Sequence, residues 1–157
     1  MSYSPGMSDL IQVEPQPRLD TLVVDAVTGE QRRRTEYSGT VWFGHRPEAT
    51  RFGVVTRTQA ANIGTPFFLP DSLPYRADIA AHALVVCNVA LRAAAEEIHH
   101  ILDARAGMVT DPRNPAVAWL QLQVVANGYI PLAVGYRIDV LVAPGAVLGL
   151  GPQAGTS

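Results

Sequence analysis

Residues 75–106 read YRADIAAHALVVCNVALRAAAEEIHHILDARA, and how this stretch folds decides the class of the protein. It contains neither Pro nor Gly, Ala recurs throughout, and Gly107 follows where a helix C-cap belongs. At 100° per residue, Ile79, Ala83, Val86, Cys87, Ala90, Leu91, Ala94, Ile98, Ile101 and Leu102 gather on one side, while Asp78, His82, Arg92, Glu96, His99 and Asp103 gather opposite. Asp71 or Ser72 can cap the start, with Pro74 in the first turn. The pattern predicts one long helix. Val85 and Val89 fall inside its polar stripe, so its first half is apolar nearly all round and is expected to be covered on a second side, by a loop or by a neighbouring subunit.

Outward from this stretch the signals are those of strands. Residues 21–27 (TLVVDAV) are rich in β-branched side chains, Thr28 and Gly29 mark a turn, and residues 35–43 (TEYSGTVWF) return with Tyr37, Gly39, Val41 and Phe43 on one face. Residues 51–57 read as a third strand, and residues 58–74 as loop broken by Pro66, Pro70 and Pro74. Beyond the helix, residues 116–126 place Ala118, Leu120, Leu122 and Val124 on one face, with Gln121 and Gln123 on the other. Residues 132–142 do the same with Val134, Tyr136, Ile138, Val140 and Val142 against Arg137 and Asp139. The expected fold is therefore α+β: a mainly antiparallel sheet of about five strands, in the order β-β-β-α-β-β, packed on one long helix. Residues 19–142 form one domain on this reading. Residues 1–18 and 143–157, rich in Pro and Gly, are extended N- and C-terminal arms.

Composition narrows the chemistry. The chain has 157 residues, 48% of them apolar, and its 12 basic residues are all Arg. Without Lys there is no Schiff-base or pyridoxal-phosphate nucleophile, no P-loop lysine and no kinase-type catalytic lysine. The formal charge of −2 and pI near 6.0 give no bulk attraction to nucleic acid or to an anionic membrane. The first ten residues, MSYSPGMSDL, lack the basic start and apolar stretch of a signal peptide, and no run of about 18 apolar residues is present to span a bilayer. The lone Cys87 forms no internal disulfide and suits a reducing compartment.

Candidate chemical motifs are few. Glu96 with His99, and Glu97 with His100, have the E-x-x-H spacing of di-metal helix bundles, but a second such pair is missing and a solvated helix face explains them. Cys87 lies on the expected core side, where a thiol stays protonated. Arg32, Arg33 and Arg34 can grip phosphates or a partner's carboxylates, yet seven Arg between residues 18 and 57 are offset by five acids. Asp111, Arg113 and Asn114 sit in TDPRNP, ordinary turn chemistry. No hydrolase, dinucleotide or zinc signature occurs.

These readings point away from catalysis, cofactors and bound metal, and toward assembly. The two arms, too rich in Pro and Gly to pack alone, carry apolar residues that gain from docking: Leu10, Ile11 and Val13 in one, Val147, Leu148 and Leu150 in the other. With Arg32, Arg33, Arg34, Val85 and Val89 they are the expected interface. The expected role is a structural subunit of a large symmetric complex, foremost a phage head, neck or tail protein. Its partners are copies of itself and other subunits, and it resides in a virion or otherwise in the cytoplasm. A small ligand-binding protein or enzyme is the alternative, with a pocket between sheet and helix and polar groups from His99, His100, Asp111 or Arg113. An accessory subunit of a bacterial complex is the third.

Overall fold

In the computed structural model, which describes residues 11–44, 61–94, 99–128 and 132–148, the described part of the stretch that decides the class is mostly β-strand and not one long helix. Strands fall in the order β1 (Ile11–Pro15), β2 (Leu19–Val24), β3 (Gln31–Phe43), β4 (Ala61–Ile63), β5 (Phe67–Phe68) and β6 (Tyr75–Arg76). A four-residue helix α1 (Ala77–Ala80) follows, then β7 (Leu84–Ala94), β8 (His99–Asp111), β9 (Asn114–Gly128), β10 (Leu132–Val142) and a 3-10 turn at Pro144–Ala146. Among the described residues no helix reaches seven residues, so the α+β expectation is overturned: the protein is a mostly antiparallel β structure.

Burial shows why the helical reading fails. Along β7, Val85, Cys87 and Val89 turn toward the core while Leu84, Val86 and Asn88 face solvent, a period of 2. Val85 and Val89, the two misfits of the helical wheel, thus share a face with Cys87. Val86, Leu91 and Leu102, assigned to the helix's core side, are exposed. A run apolar at nearly every position satisfies either period, and pairing then decides. β7 finds a partner in β10, from Leu132 opposite Ala94 to Leu141 opposite Leu84, and β8 finds one along most of β9. The expected cap Ser72 is a buried tie instead: its hydroxyl accepts the Leu120 amide at 2.8 Å and donates to the Leu73 carbonyl.

Two five-stranded sheets result. In the first, β1 and β2 lie one after the other along one border of β3, β10 pairs with its other border, and β7 is the far edge. In the second, β9 is central, with β8 on one side and β4, β5 and β6 in turn along the other. The inward residues of both sheets form a single core: Tyr37, Val41 and Phe43 from β3, Leu120, Leu122 and Val124 from β9, Val134, Ile138 and Val140 from β10. Phe43 and Phe67 meet edge to face across it, ring centroids 6.5 Å apart. The inward faces read for residues 35–43, 116–126 and 132–142 are those observed. The expected strand at 51–57 lies outside the described residues, and the expected loop at 58–74 contains β4 and β5.

The described parts of both terminal segments dock on this chain. β1 pairs with β3 from Ile11 opposite Phe43 to Pro15 opposite Gly39. Val147 bridges to Tyr75, and the Leu148 amide donates to the Pro74 carbonyl at 2.6 Å.

Candidate functional site

The feature that departs most from an ordinary protein surface is the β2–β3 hairpin. β10 pairs with β3 only as far as Arg33, so the last two rungs of the hairpin, Val23 opposite Arg32 and Val24 opposite Gln31, overhang the sheet. Every residue of β2 is exposed. Leu19, Leu22 and Val24 keep 60%, 64% and 58% of their surface, and Val27 at the tip keeps 93%. Leu22, Val23 and Val24 are consecutive, so β2 presents apolar side chains on both faces, beside the polar residues 31–36 of β3.

The tip is rigidly built. The Asp25 carboxylate accepts the amides of Val27 at 2.7 Å and Thr28 at 3.0 Å, which holds its pKa below the usual carboxylate range, Thr28 contributing most. The Asp25 amide donates to the Glu30 carbonyl, the Gly29 amide donates to the Asp25 carbonyl, and Gly29 adopts φ +76° to close the turn. Val27 is thus displayed on an ordered turn.

A hydrogen-bond chain anchors the hairpin to the core. The buried Leu73 amide donates to the Tyr37 hydroxyl at 3.2 Å, and that hydroxyl lies 2.7 Å from the Tyr75 hydroxyl. Tyr75 lies next to Thr35, whose hydroxyl donates to Asp20 of β2 at 2.7 Å, and Asp20 is paired with Arg33 at 3.2 Å. The chain joins the two sheets, because Tyr37 belongs to one and Tyr75 to the other. Burial raises the pKa of both tyrosines above the ordinary phenol value.

The outer face of the first sheet carries a closed charge network. Arg34 sits 3.1 Å from Asp139 and 3.8 Å from Glu36, and Arg137 sits 3.2 Å from Glu36 and 3.6 Å from Asp139. Arg32 is paired with Glu30 at 3.5 Å. The three consecutive arginines therefore each meet an acid of their own chain. Beside them a shallow groove of about 360 Å³ is lined by Val23, Asp25, Arg32, Leu84 and Leu141.

Other residues singled out from the sequence are scattered. Ile11, Val13, Val85, Val89 and Val147 are half-buried against the core, and Leu148 is half-buried beside Pro74. Leu10, Leu150, Glu96 and Glu97 lie outside the described residues. His99 and His100 are neighbours on a strand, so the helical E-x-x-H geometry does not form; His99 is buried opposite Gly128 and His100 is exposed. Asp111 and Arg113 stand at the other end of β8, about 40 Å from the histidines at roughly 3.3 Å per residue. The proposed pocket of His99, His100, Asp111 and Arg113 under a helix is therefore not assembled. Asp111 instead accepts the Trp119 indole at 2.8 Å and the Arg113 amide at 2.7 Å. Cys87 is half-buried, and burial together with the Asp103 carboxylate pushes its thiol up to about 11. Among the described residues no group of three or more His, Cys, Asp or Glu is placed to hold a metal, and no helix is long and apolar enough to cross a membrane.

The residues missed from the sequence are Leu19, Leu22, Val23, Val24 and Val27. The signal was present in TLVV: a strand with adjacent apolar residues presents an apolar side chain to both faces, which one core cannot cover. Comparison with protein-family models, with curated proteins and with solved structures gives no match.

Proposed function

We propose that the protein is a structural subunit of a symmetric assembly, of the kind that builds phage heads, necks and tails, and that it resides in such a particle. The observation that carries this reading is β2 of the β2–β3 hairpin, exposed along its length with apolar side chains on both faces and ending in a hydrogen-bonded turn. Surface left in that state is typical of a contact made with another chain. Arginines already paired within the chain supply polar surroundings for such a contact without adding net charge. The measurement that tests it is the mass of the full chain by light scattering across a dilution series. A mass that is a multiple of 16.9 kDa and falls on dilution is expected; a 16.9 kDa monomer at every concentration refutes the role.

A further inference from the structure

Away from the hairpin, the outer face of the first sheet holds a second irregularity. β7 pairs with β10 residue for residue except at one point. Val134 lies opposite Leu91 and Ala133 opposite Ala93, so Arg92 is the extra residue of a β-bulge on an edge strand. A bulge re-aims the side chain it carries. Arg92 is turned back across β10 and lies against Gly135, where a Cβ would stand 2.6 Å from its Nε, 3.3 Å from its Cγ and 3.4 Å from its Cδ. The missing side chain of Gly135 is what lets the arginine settle there.

The place where it settles is a shallow groove of about 540 Å³ along β7 and β10. Ala90 and Gly135, the smallest residues lining it, lie opposite one another at its middle. Arg92 reaches over Gly135 from one end, while Asn88 and Arg137, also opposite one another, line the other end. The charges beside the groove do not balance. Glu36 and Asp139 are shared by Arg34 and Arg137, and among the described residues Arg92 meets no carboxylate. Three arginines and two acids thus make up this cluster, and the surplus cation is the one that the bulge and Gly135 direct into the groove.

Two guanidinium groups and one side-chain amide offer N–H donors here from separate directions. A phosphate group suits them, with three free oxygens and about two negative charges at neutral pH. A carboxylate, with two oxygens and one charge, would fill fewer of them. We propose that this groove is a binding site for a phosphate group, held by Arg92 together with Arg137 and Asn88. The site is separate from the hairpin, and it stands or falls independently of the assembly role.

Isothermal titration calorimetry of the full chain in low-salt buffer tests it, with inorganic phosphate, glycerol phosphate and acetate as probes. Saturable binding that prefers both phosphates to acetate is expected. Tighter binding of the ester identifies a phosphorylated small molecule as the ligand, and binding of the free ion at least as tight identifies inorganic phosphate. Arg92→Gln should weaken binding about tenfold. Gly135→Ala, which pushes the guanidinium aside, should weaken it in the same direction, and Arg113→Gln, at the β8–β9 turn, should leave it unchanged. Circular dichroism verifies the fold; Arg92 is exposed, so Arg92→Gln decides the matter even where Gly135→Ala disturbs the sheet. Heats that do not saturate, no preference over acetate, or equal losses in Arg92→Gln and Arg113→Gln overturn the site and leave the assembly role untouched.

Discussion

Replacing Tyr37 by Phe removes one oxygen from the middle of the chain that ties the two sheets and the hairpin together. Tyr37 and Tyr75 are fully buried, and Leu73 nearly so, so water cannot take over their hydrogen bonds. The loss has two parts. The Leu73 amide, which donates to Tyr37 at 3.2 Å, is left without an acceptor, at a cost of about 2 kcal/mol. Tyr75 loses its 2.7 Å partner, which costs about 1 kcal/mol more. Tyr37→Phe should therefore destabilise the protein by about 3 kcal/mol. Tyr75→Phe leaves the Leu73 amide satisfied and should cost about 1 kcal/mol. The double variant should again cost about 3 kcal/mol, because the unpartnered Tyr75 hydroxyl is gone, a coupling of about 1 kcal/mol. Urea denaturation followed by circular dichroism, at one fixed protein concentration because association would otherwise shift the midpoints, measures all three. Single-variant costs within about 0.5 kcal/mol of zero, or strict additivity, would refute the chain as an energetic unit.

Four further outcomes follow from the same packing. The Tyr136 hydroxyl is buried with no hydrogen-bond partner among the described residues, so Tyr136→Phe should leave urea stability unchanged or raise it by up to about 1 kcal/mol, opposite in sign to Tyr37→Phe. A Cβ at Gly39 would stand 2.5 Å from the Glu14 carbonyl oxygen, 2.7 Å from the Tyr136 hydroxyl and 2.8 Å from the Pro15 Cα, so Gly39→Ala should cost about 3 kcal/mol and release β1, read as faster proteolysis of residues 11–15. Burial raises the pKa of Tyr37, Tyr75 and Tyr136, so each keeps its proton in the folded chain after the unfolded chain has lost it. Their contribution is intact below about pH 10 and then falls by about 1.4 kcal/mol per pH unit for each residue, which urea midpoints at pH 8, 10 and 11 should follow. Cys87, with its thiol pushed up to about 11, should react with iodoacetamide at pH 9 at least tenfold more slowly than in the urea-unfolded chain.

Much of the core was legible in the sequence. The alternation in residues 35–43, 116–126 and 132–142 identified the inward faces of β3, β9 and β10, because a strand half in water and half in a core can bury only every second residue. The turn after β2 was also marked, by Gly29, where only a glycine-like φ closes the loop. What failed was the segment between the halves of the domain. Residues 84–91 are apolar at almost every position, so neither period is excluded, and no Gly or Pro between residues 75 and 106 separates β7 from β8. Helix propensity in the Ala-rich stretch is worth tenths of a kilocalorie per residue. It yields to the backbone partners that β10 and β9 provide, and those partners are distant in sequence.

The hairpin divides the two sources of information in the same way. By itself the sequence determined that residues 21–24 carry consecutive apolar side chains, that Thr28 and Gly29 turn the chain, and that every cation is an arginine. Only the tertiary structure decided which of those side chains remain in water. β10 ends opposite Arg33, so the end of the hairpin has no neighbouring strand on that side of β3. It also decided that Arg32, Arg33 and Arg34 meet acids of their own chain, Asp139 lying 105 residues from Arg34. Burial and ion pairing depend on where remote strands end and on what they carry, and a local pattern holds no record of either.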